Sequence, residues 1–350
     1  MKSLRFIMII DFKDLDVNKL KPENDFEKKV VNFIEEWFSD SETVSVQTSG
    51  STGTPKIFEA EKSRMVNSAV STCNFLELKE NGTALICLPV EYISGKMMVV
   101  RSIVRNLKLK VSHPSLNPLI NLQGYSDFCA MTPLQVENSL DKLHLLKKII
   151  IGGAAVSENL KQKIYEKLDS SHSETKIYET YGMSETLSHI ALKEIFPTKE
   201  KYFTVFENIE ISQDERACLK IYAPQLNPGL LQTNDVVELI NEKQFRFLGR
   251  ADNIINSGGA KIFPEELEKT VKQHISNEAV FLGIPDETLG QKLVLAVEGK
   301  EDEKIKAVVS NLKFEKSFHK PKGIIFVNEI PRTPNGKVNR RELFEIIKSH

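Results

Sequence analysis

A chain of 350 residues exceeds one ordinary domain, and two domains leave core volume enough for an enzyme. Its composition, 41% hydrophobic and 27% charged, is that of a globular protein. The formal net charge of −1 gives no reason to expect nucleic acid or an anionic membrane as the main partner, and lysine-rich runs such as "LHLLKKII" read as flanks of buried strands.

The first apolar run, "LRFIMII", is too short to span a bilayer and lacks the small-residue cleavage site of a signal peptide, so no membrane insertion and a cytoplasmic location are expected. In "FEKKVVNFIEEWF", Phe26, Val30, Phe33, Ile34 and Trp37 recur at helical spacing, predicting an amphipathic helix that ends near Asp40. "TVSVQ" alternates like a strand and runs into "TSGSTGTPK", Thr48 to Lys56. Gly50 and Gly53 free the backbone there. Thr48, Ser49, Ser51 and Thr52 add hydroxyl donors, and Lys56 adds a charge, which together can wrap a phosphate. A Walker loop needs Ser or Thr directly after its lysine, and none follows Lys56. Taken alone, the stretch reads equally well as a solvent-exposed linker.

Next come a helix in "RMVNSAVSTCNFLEL", a buried-type strand in "TALICLP", and a helix in "KMMVVRSIVRNL". "KKIIIGGAAVSENLKQKIYEKL" repeats strand, glycine turn and helix, with Ser157 as N-cap, and "TKIYETYG" is a further strand. Strands alternating with helices imply an α/β fold with a largely parallel sheet covered on both faces. Beyond Gly249 the texture changes to short strands, "EAVFLGIPD" and "QKLVLAVEG", and a closing helix, "RRELFEIIKS". A large domain over 1–249 and a small α+β domain over 250–350 are therefore expected. Cys73, Cys87, Cys129 and Cys218 are far apart, and no histidine spacing suits a metal, so neither a disulfide framework nor a zinc cluster is expected.

"TSGSTGTPK", "YETYGMSET", "TNDVVEL", "GRADNIINSGGAKIFPEELE" and "PRTPNGKVNRREL" together resemble the adenylate-forming, AMP-binding superfamily, with the motifs in that superfamily's order. "LGIPDETLGQKLVLAV" resembles its small-domain segment. "LPVEYISGKMM" and "MTPLQVENSL" are most similar to the 2-succinylbenzoate–CoA ligases of menaquinone synthesis. The resemblance implies a two-step ligase. A small carboxylic acid attacks the α-phosphate of ATP to form an acyl-adenylate and release pyrophosphate; the thiol of CoA then displaces AMP. Mg²⁺ is required, and a mobile cap turns between the steps.

Residue by residue, the resemblance assigns Lys337 to the bridge between carboxylate and α-phosphate, where a fixed cation meets developing negative charge. It assigns Glu185 to Mg²⁺ and Thr186 to the phosphate side. Tyr181 is expected to stack on adenine, with Gly182 and Met183 beside it, Ser184 or Thr180 near the phosphates or acyl group, and Gly153, Ala154 and Ala155 forming a flat slot. Asp235 is expected on the ribose hydroxyls, Arg250 on ribose and phosphate, Asp252 at the hinge, and Gly258 and Gly259 along the CoA side. For the acid pocket, Ser94 and Gly95 match the succinylbenzoate-ligase pattern, while Tyr92, a further candidate, stands where that pattern carries a histidine. Asn234 likewise replaces a glycine before Asp235. Lys96, Arg101 and Arg105 are candidates for a second carboxylate. The stretch before Thr48 is shorter than in most relatives, which implies a reduced N-terminal subdomain. Another aryl or fatty acid, the loading of a carrier protein, and a non-catalytic regulator are the competing readings.

Overall fold

The computed structural model describes residues 7–47, 57–169, 173–332 and 338–348. Eight α-helices lie among them: α1 Asp25–Trp37, α2 Lys62–Phe75, α3 Ile93–Val104, α4 Pro133–Glu137, α5 Glu158–Asp169, α6 Pro264–Lys272, α7 Glu303–Asn311 and α8 Arg340–Lys348. In α1, Asn24 caps the N-terminus by accepting the Glu27 N–H at 3.0 Å, and the periodic residues Phe26, Val30, Phe33, Ile34 and Trp37 are all buried. Ser157 caps α5, accepting from Leu160 N–H at 3.1 Å.

A twelve-stranded sheet dominates the first part of the chain. Strands Lys108–Val111, Thr83–Ile86, Ser126–Met131, Leu146–Ile151 and Lys176–Gly182 pair parallel in that spatial order. Alternation sends Ala84, Ile86, Phe128 and Ile150 to a core shared with α1–α3. It sends Leu85, Cys129, Ile149 and Ile177 to a second core under α4 and α5. The expectation of a largely parallel sheet holds only for this part. From His189–Phe196 through Gln244–Arg250 to Glu210–Gln213 every pairing is antiparallel, because no helix separates these strands and each must turn straight back. Met8–Asp11 closes the far edge, also antiparallel. "TVSVQ" pairs with Ile57–Glu61, in register Gln47 to Ile57, as a two-stranded sheet outside the large one.

A second sheet of five strands gathers Ile255–Ser257, Ala260–Ile262, Ala279–Asp286, Gly290–Glu298 and Gly323–Val327. Phe281 and Leu295 pack under α6 and α7 on one face, and Val280 and Leu282 under α8 on the other. Helix α6 also lies on the strand Gln244–Arg250: a Cβ at Gly249 would sit 2.4 Å from Glu265 Oε2, so only glycine admits this approach without displacing that side chain. Among the described residues no helix is long and apolar enough to cross a membrane.

Candidate active site

The strand Lys176–Gly182 ends in a short 3-10 turn, Ser184–Thr186, and the chain then returns along His189–Phe196. Gly182 stands opposite His189, and a Cβ there would meet His189 Cα at 2.4 Å and Ser188 O at 2.5 Å, both backbone atoms that cannot retreat. The reversal itself is a γ-turn: Leu187 has φ +62°, and Ser188 N–H donates to Thr186 O at 2.7 Å. Such a backbone is strained for leucine and persists because its surroundings enforce it. Thr186 is fully buried. Its hydroxyl lies 3.0 Å from the Met183 carbonyl and 2.7 Å from that of Ser188, and accepts Met183 N–H at 3.1 Å. The expected place of Thr186 on the phosphate side is therefore corrected: its hydroxyl is spent on holding the turn. Ser184 and Glu185 are exposed, and Asn227 Nδ2 anchors the Glu185 carbonyl at 3.1 Å. One exposed carboxylate on a held backbone fits Mg²⁺, which completes its octahedron with phosphate and water.

Beside this turn, Tyr181 is buried against Phe203, Phe245 and Phe247, and its hydroxyl donates to Asp235 Oδ2 at 2.6 Å. Burial, followed by the Asp235 charge, pushes the Tyr181 phenol well up, so it remains a donor. Asp235 pairs across the strands with Arg250, whose guanidinium lies 3.8 Å from Asp235 Oδ1 and 3.6 Å from Asp252 Oδ2. Asn234 Nδ2 reaches Asp252 Oδ2 at 3.3 Å. Asp235, Arg250 and Asp252 thus meet where the large sheet hands over to the second one. Gly153, Ala154 and Ala155 form an exposed ledge after the neighbouring strand, and Gly152 faces the Thr180 side chain.

The acid-pocket candidates separate on α3. Tyr92 caps the helix and bridges to Gln47, Ser94 is exposed, and Gly95 is buried against the backbone of Leu88 and Pro89. Lys96 points to α1, with its ammonium 4.0 Å from the centre of the Phe33 ring and 3.5 Å from Glu36 Oε2. Arg105 is half-buried and donates to Asn74 Oδ1, and its Nε, like that of Arg101, is buried with no hydrogen-bond partner among the described residues. Lys96 does not reach the turn: five residues along a helix is about 140° of rotation, so Lys96 and Arg101 do not share a face. Lys96 is held by Glu36 of α1 and Arg105 by Asn74. Arg101 is different. It is 2% exposed, its Nη2 donates to Ser188 Oγ at 2.8 Å, and its Nε is buried with no hydrogen-bond partner among the described residues. No carboxylate forms an ion pair with it among the described residues. Burial pushes its guanidinium down to about 10, leaving it charged at neutral pH.

Gly258 and Gly259, with φ +57° and +80°, make the two-residue turn between Ile255–Ser257 and Ala260–Ile262, the geometry of a tight hairpin. Thr48, Ser49, Gly50, Ser51, Thr52, Gly53, Lys56 and Lys337 lie outside the described residues. Around them, Gln47 opposes Ile57, and Arg332 bridges to Val338. Ser188, His189 and Thr72 join the site with little sequence signal beyond a histidine directly behind "SETLS" in an apolar strand.

The model of the AMP-binding enzyme family matches residues 2–205, and that of the AMP-binding enzyme C-terminal domain matches 266–337. The chain belongs to the AMP-binding enzyme family. A 2-succinylbenzoate–CoA ligase of Lactococcus lactis subsp. lactis (strain IL1403) is 27% identical, over 95% of this chain and 80% of that protein. The 2-succinylbenzoate–CoA ligase of Listeria monocytogenes serovar 1/2a is 24% identical, over 91% and 73%. An acyl-CoA synthetase (AMP-forming)/AMP-acid ligase II-like protein from Dyadobacter fermentans DSM 18053 superposes with TM-score 0.65 at 32% identity, covering 98% of this chain and 100% of that one. The O-succinylbenzoate coenzyme A synthetase from Bacillus subtilis, solved with ATP and magnesium, superposes with TM-score 0.71 at 20% identity over 85% and 69%, a likeness of fold.

Proposed function

We propose that this chain is an AMP-forming acid–CoA ligase acting on 2-succinylbenzoate, a step of menaquinone synthesis. The acid's carboxylate attacks the α-phosphorus of ATP, the bond to the β-phosphate oxygen breaks, and pyrophosphate leaves with that electron pair. The thiol of CoA then adds to the acyl carbon and expels AMP. Asp235 accepts from the ribose hydroxyls, Arg250 contacts ribose and phosphate, and Lys337 neutralises charge at the α-phosphoryl group. Glu185 would hold Mg²⁺, which supplies charge neutralisation on the phosphates. Residues 1–249 act as the body and 250–350 as a cap turning about Asp252, with Gly258 and Gly259 on the thiol side.

Arg101 is the observation that carries the choice of acid. A guanidinium buried beside the Glu185 turn, without an ion-pair partner among the described residues, supports an acid with a second carboxylate. The named relatives support the same reading. Incubation with ATP, Mg²⁺, CoA and a panel of acids, followed by pyrophosphate release and thioester mass, tests it. A thioester with 2-succinylbenzoate is expected. Turnover of monocarboxylic acids alone would transfer the reading to an aryl or fatty acid, and ATP binding without pyrophosphate release from any acid would leave a regulator.

A further inference from the structure

Three stretches remote in sequence meet at Asp252. The turn between Glu210–Gln213 and Cys218–Tyr222 carries Arg216, which Asp214 fixes by accepting its backbone N–H at 2.8 Å, its Nε at 3.0 Å and its Nη2 at 2.8 Å. That leaves Nη1, which donates to Asn234 Oδ1 at 3.2 Å. On its other side, Asn234 Nδ2 donates to Asp252 Oδ2 at 3.3 Å. Chemistry fixes the direction of this amide. A guanidinium only donates and a carboxylate only accepts, so a flipped amide would set donor against donor and oxygen against oxygen. Arg250 stands 3.6 Å from the same Asp252 oxygen and 3.8 Å from Asp235 Oδ1, outside hydrogen-bond reach of both.

We propose that Asn234 is a positioning residue that latches the hinge: held by Arg216, its amide ties the Asp252 carboxylate to the body and favours the cap orientation of this structure over others. The proposal rests on the reading of 250–350 as a cap turning about Asp252. A turn there changes the Asp252 backbone and swings its side chain away from the strand Leu230–Asn241, so the bond breaks with each swing. Arg216 and Asp252 are exposed and Asn234 is half-buried, which keeps the contact weak. At such sites a contact to a charged group biases an equilibrium by up to about fivefold, enough to set a resting orientation without locking it.

The test uses Asn234→Asp, which keeps the shape and the acceptor for Arg216 but turns a second carboxylate oxygen on Asp252. Adding Asp252→Asn exchanges donor and acceptor and restores the bond. Cap orientation is read by pulsed electron double resonance between nitroxides on Asn32→Cys in α1 and Ser310→Cys in α7. Both positions are exposed, and the native Cys73, Cys87, Cys129 and Cys218 are buried away from the label. In the ligand-free protein one distance is expected to dominate. It should lose at least about threefold against the others in Asn234→Asp and return in the double variant. A distribution unchanged by Asn234→Asp, or not restored by the exchange, overturns the proposal. The ratio of the two half-reaction rates, pyrophosphate release without CoA against thioester formation from preformed adenylate, should move by the same factor and return likewise. A loss shared equally by both half-reactions would make Asn234 merely structural. If neither half-reaction runs in the wild type, the ligase reading fails, while the distances still decide the latch.

Discussion

Replacing Arg101 by methionine should make the protein more stable and the enzyme worse. The guanidinium is 2% exposed, and its depression from 12.5 to about 10 corresponds to about 3 kcal/mol held against the charged form at 1.36 kcal/mol per tenfold. That penalty applies in full at every pH below about 10, because the side chain is charged there in both folded and unfolded chains. Methionine fills the stem's volume with no charge to desolvate. It gives up the 2.8 Å bond to Ser188, worth about 1.5–3 kcal/mol for a charged donor, so a net gain of up to about 1.5 kcal/mol remains. At about 2–4 °C per kcal/mol for a domain of this size, Tm by scanning calorimetry should rise by up to about 6 °C. The second carboxylate meanwhile loses a buried charged partner, a change of at least about 2 kcal/mol, so KM for 2-succinylbenzoate should rise about 30-fold or more with KM for ATP unchanged. A functional residue kept at the expense of stability gives this pair of opposite changes. A lower Tm together with an acid KM within about threefold of wild type would refute the reasoning, since Arg101 would then be a structural residue.

Tyr181→Phe removes the 2.6 Å bond to Asp235 and should weaken nucleotide binding about tenfold by calorimetric titration, through about 1.5 kcal/mol of lost charge-assisted hydrogen bonding, with the acid KM little changed. Gly182→Ala drives a methyl against the backbone of Ser188 and His189 and should lower the urea midpoint by an amount equivalent to at least about 2 kcal/mol. Gly249→Ala meets only the movable Glu265 side chain, so hydrogen exchange should quicken in α6 while the large sheet keeps its protection. Glu179 is buried: burial alone would raise its carboxyl, yet Lys193 at 2.8 Å, Lys161 and the Val156 N–H outweigh that and hold it below 4.5. Its folded value is depressed, so its contribution is present above pH 4.5 and lost as pH falls through the folded value. Glu179→Gln should therefore flatten the acid limb of a stability–pH profile; an unchanged acid limb would show that the carboxylate does not carry it.

The family and the alternation of strands with helices were legible in the residue order, because hydrophobic period and short motifs are local properties. "FEKKVVNFIEEWF" declares its buried face without reference to anything else, and Ser157 caps the helix that follows it whatever lies across the sheet. The antiparallel run from His189 to Arg250 was not legible, since pairing direction depends on which strand comes to lie alongside. The same limit governed the site. Lys96, Arg101 and Arg105 stand along one short helix and look alike in sequence, yet one faces α1, one is buried at the turn, and one is half-buried against Asn74 of α2. Thr186 resembled a phosphate ligand until its neighbours' carbonyls claimed the hydroxyl. Residue order alone determined which chemical groups are present and which family they belong to. Burial, helix rotation and the contacts of distant strands decided which of those groups are left without a partner, because desolvation and hydrogen-bond satisfaction arise only when segments remote in sequence close on one another.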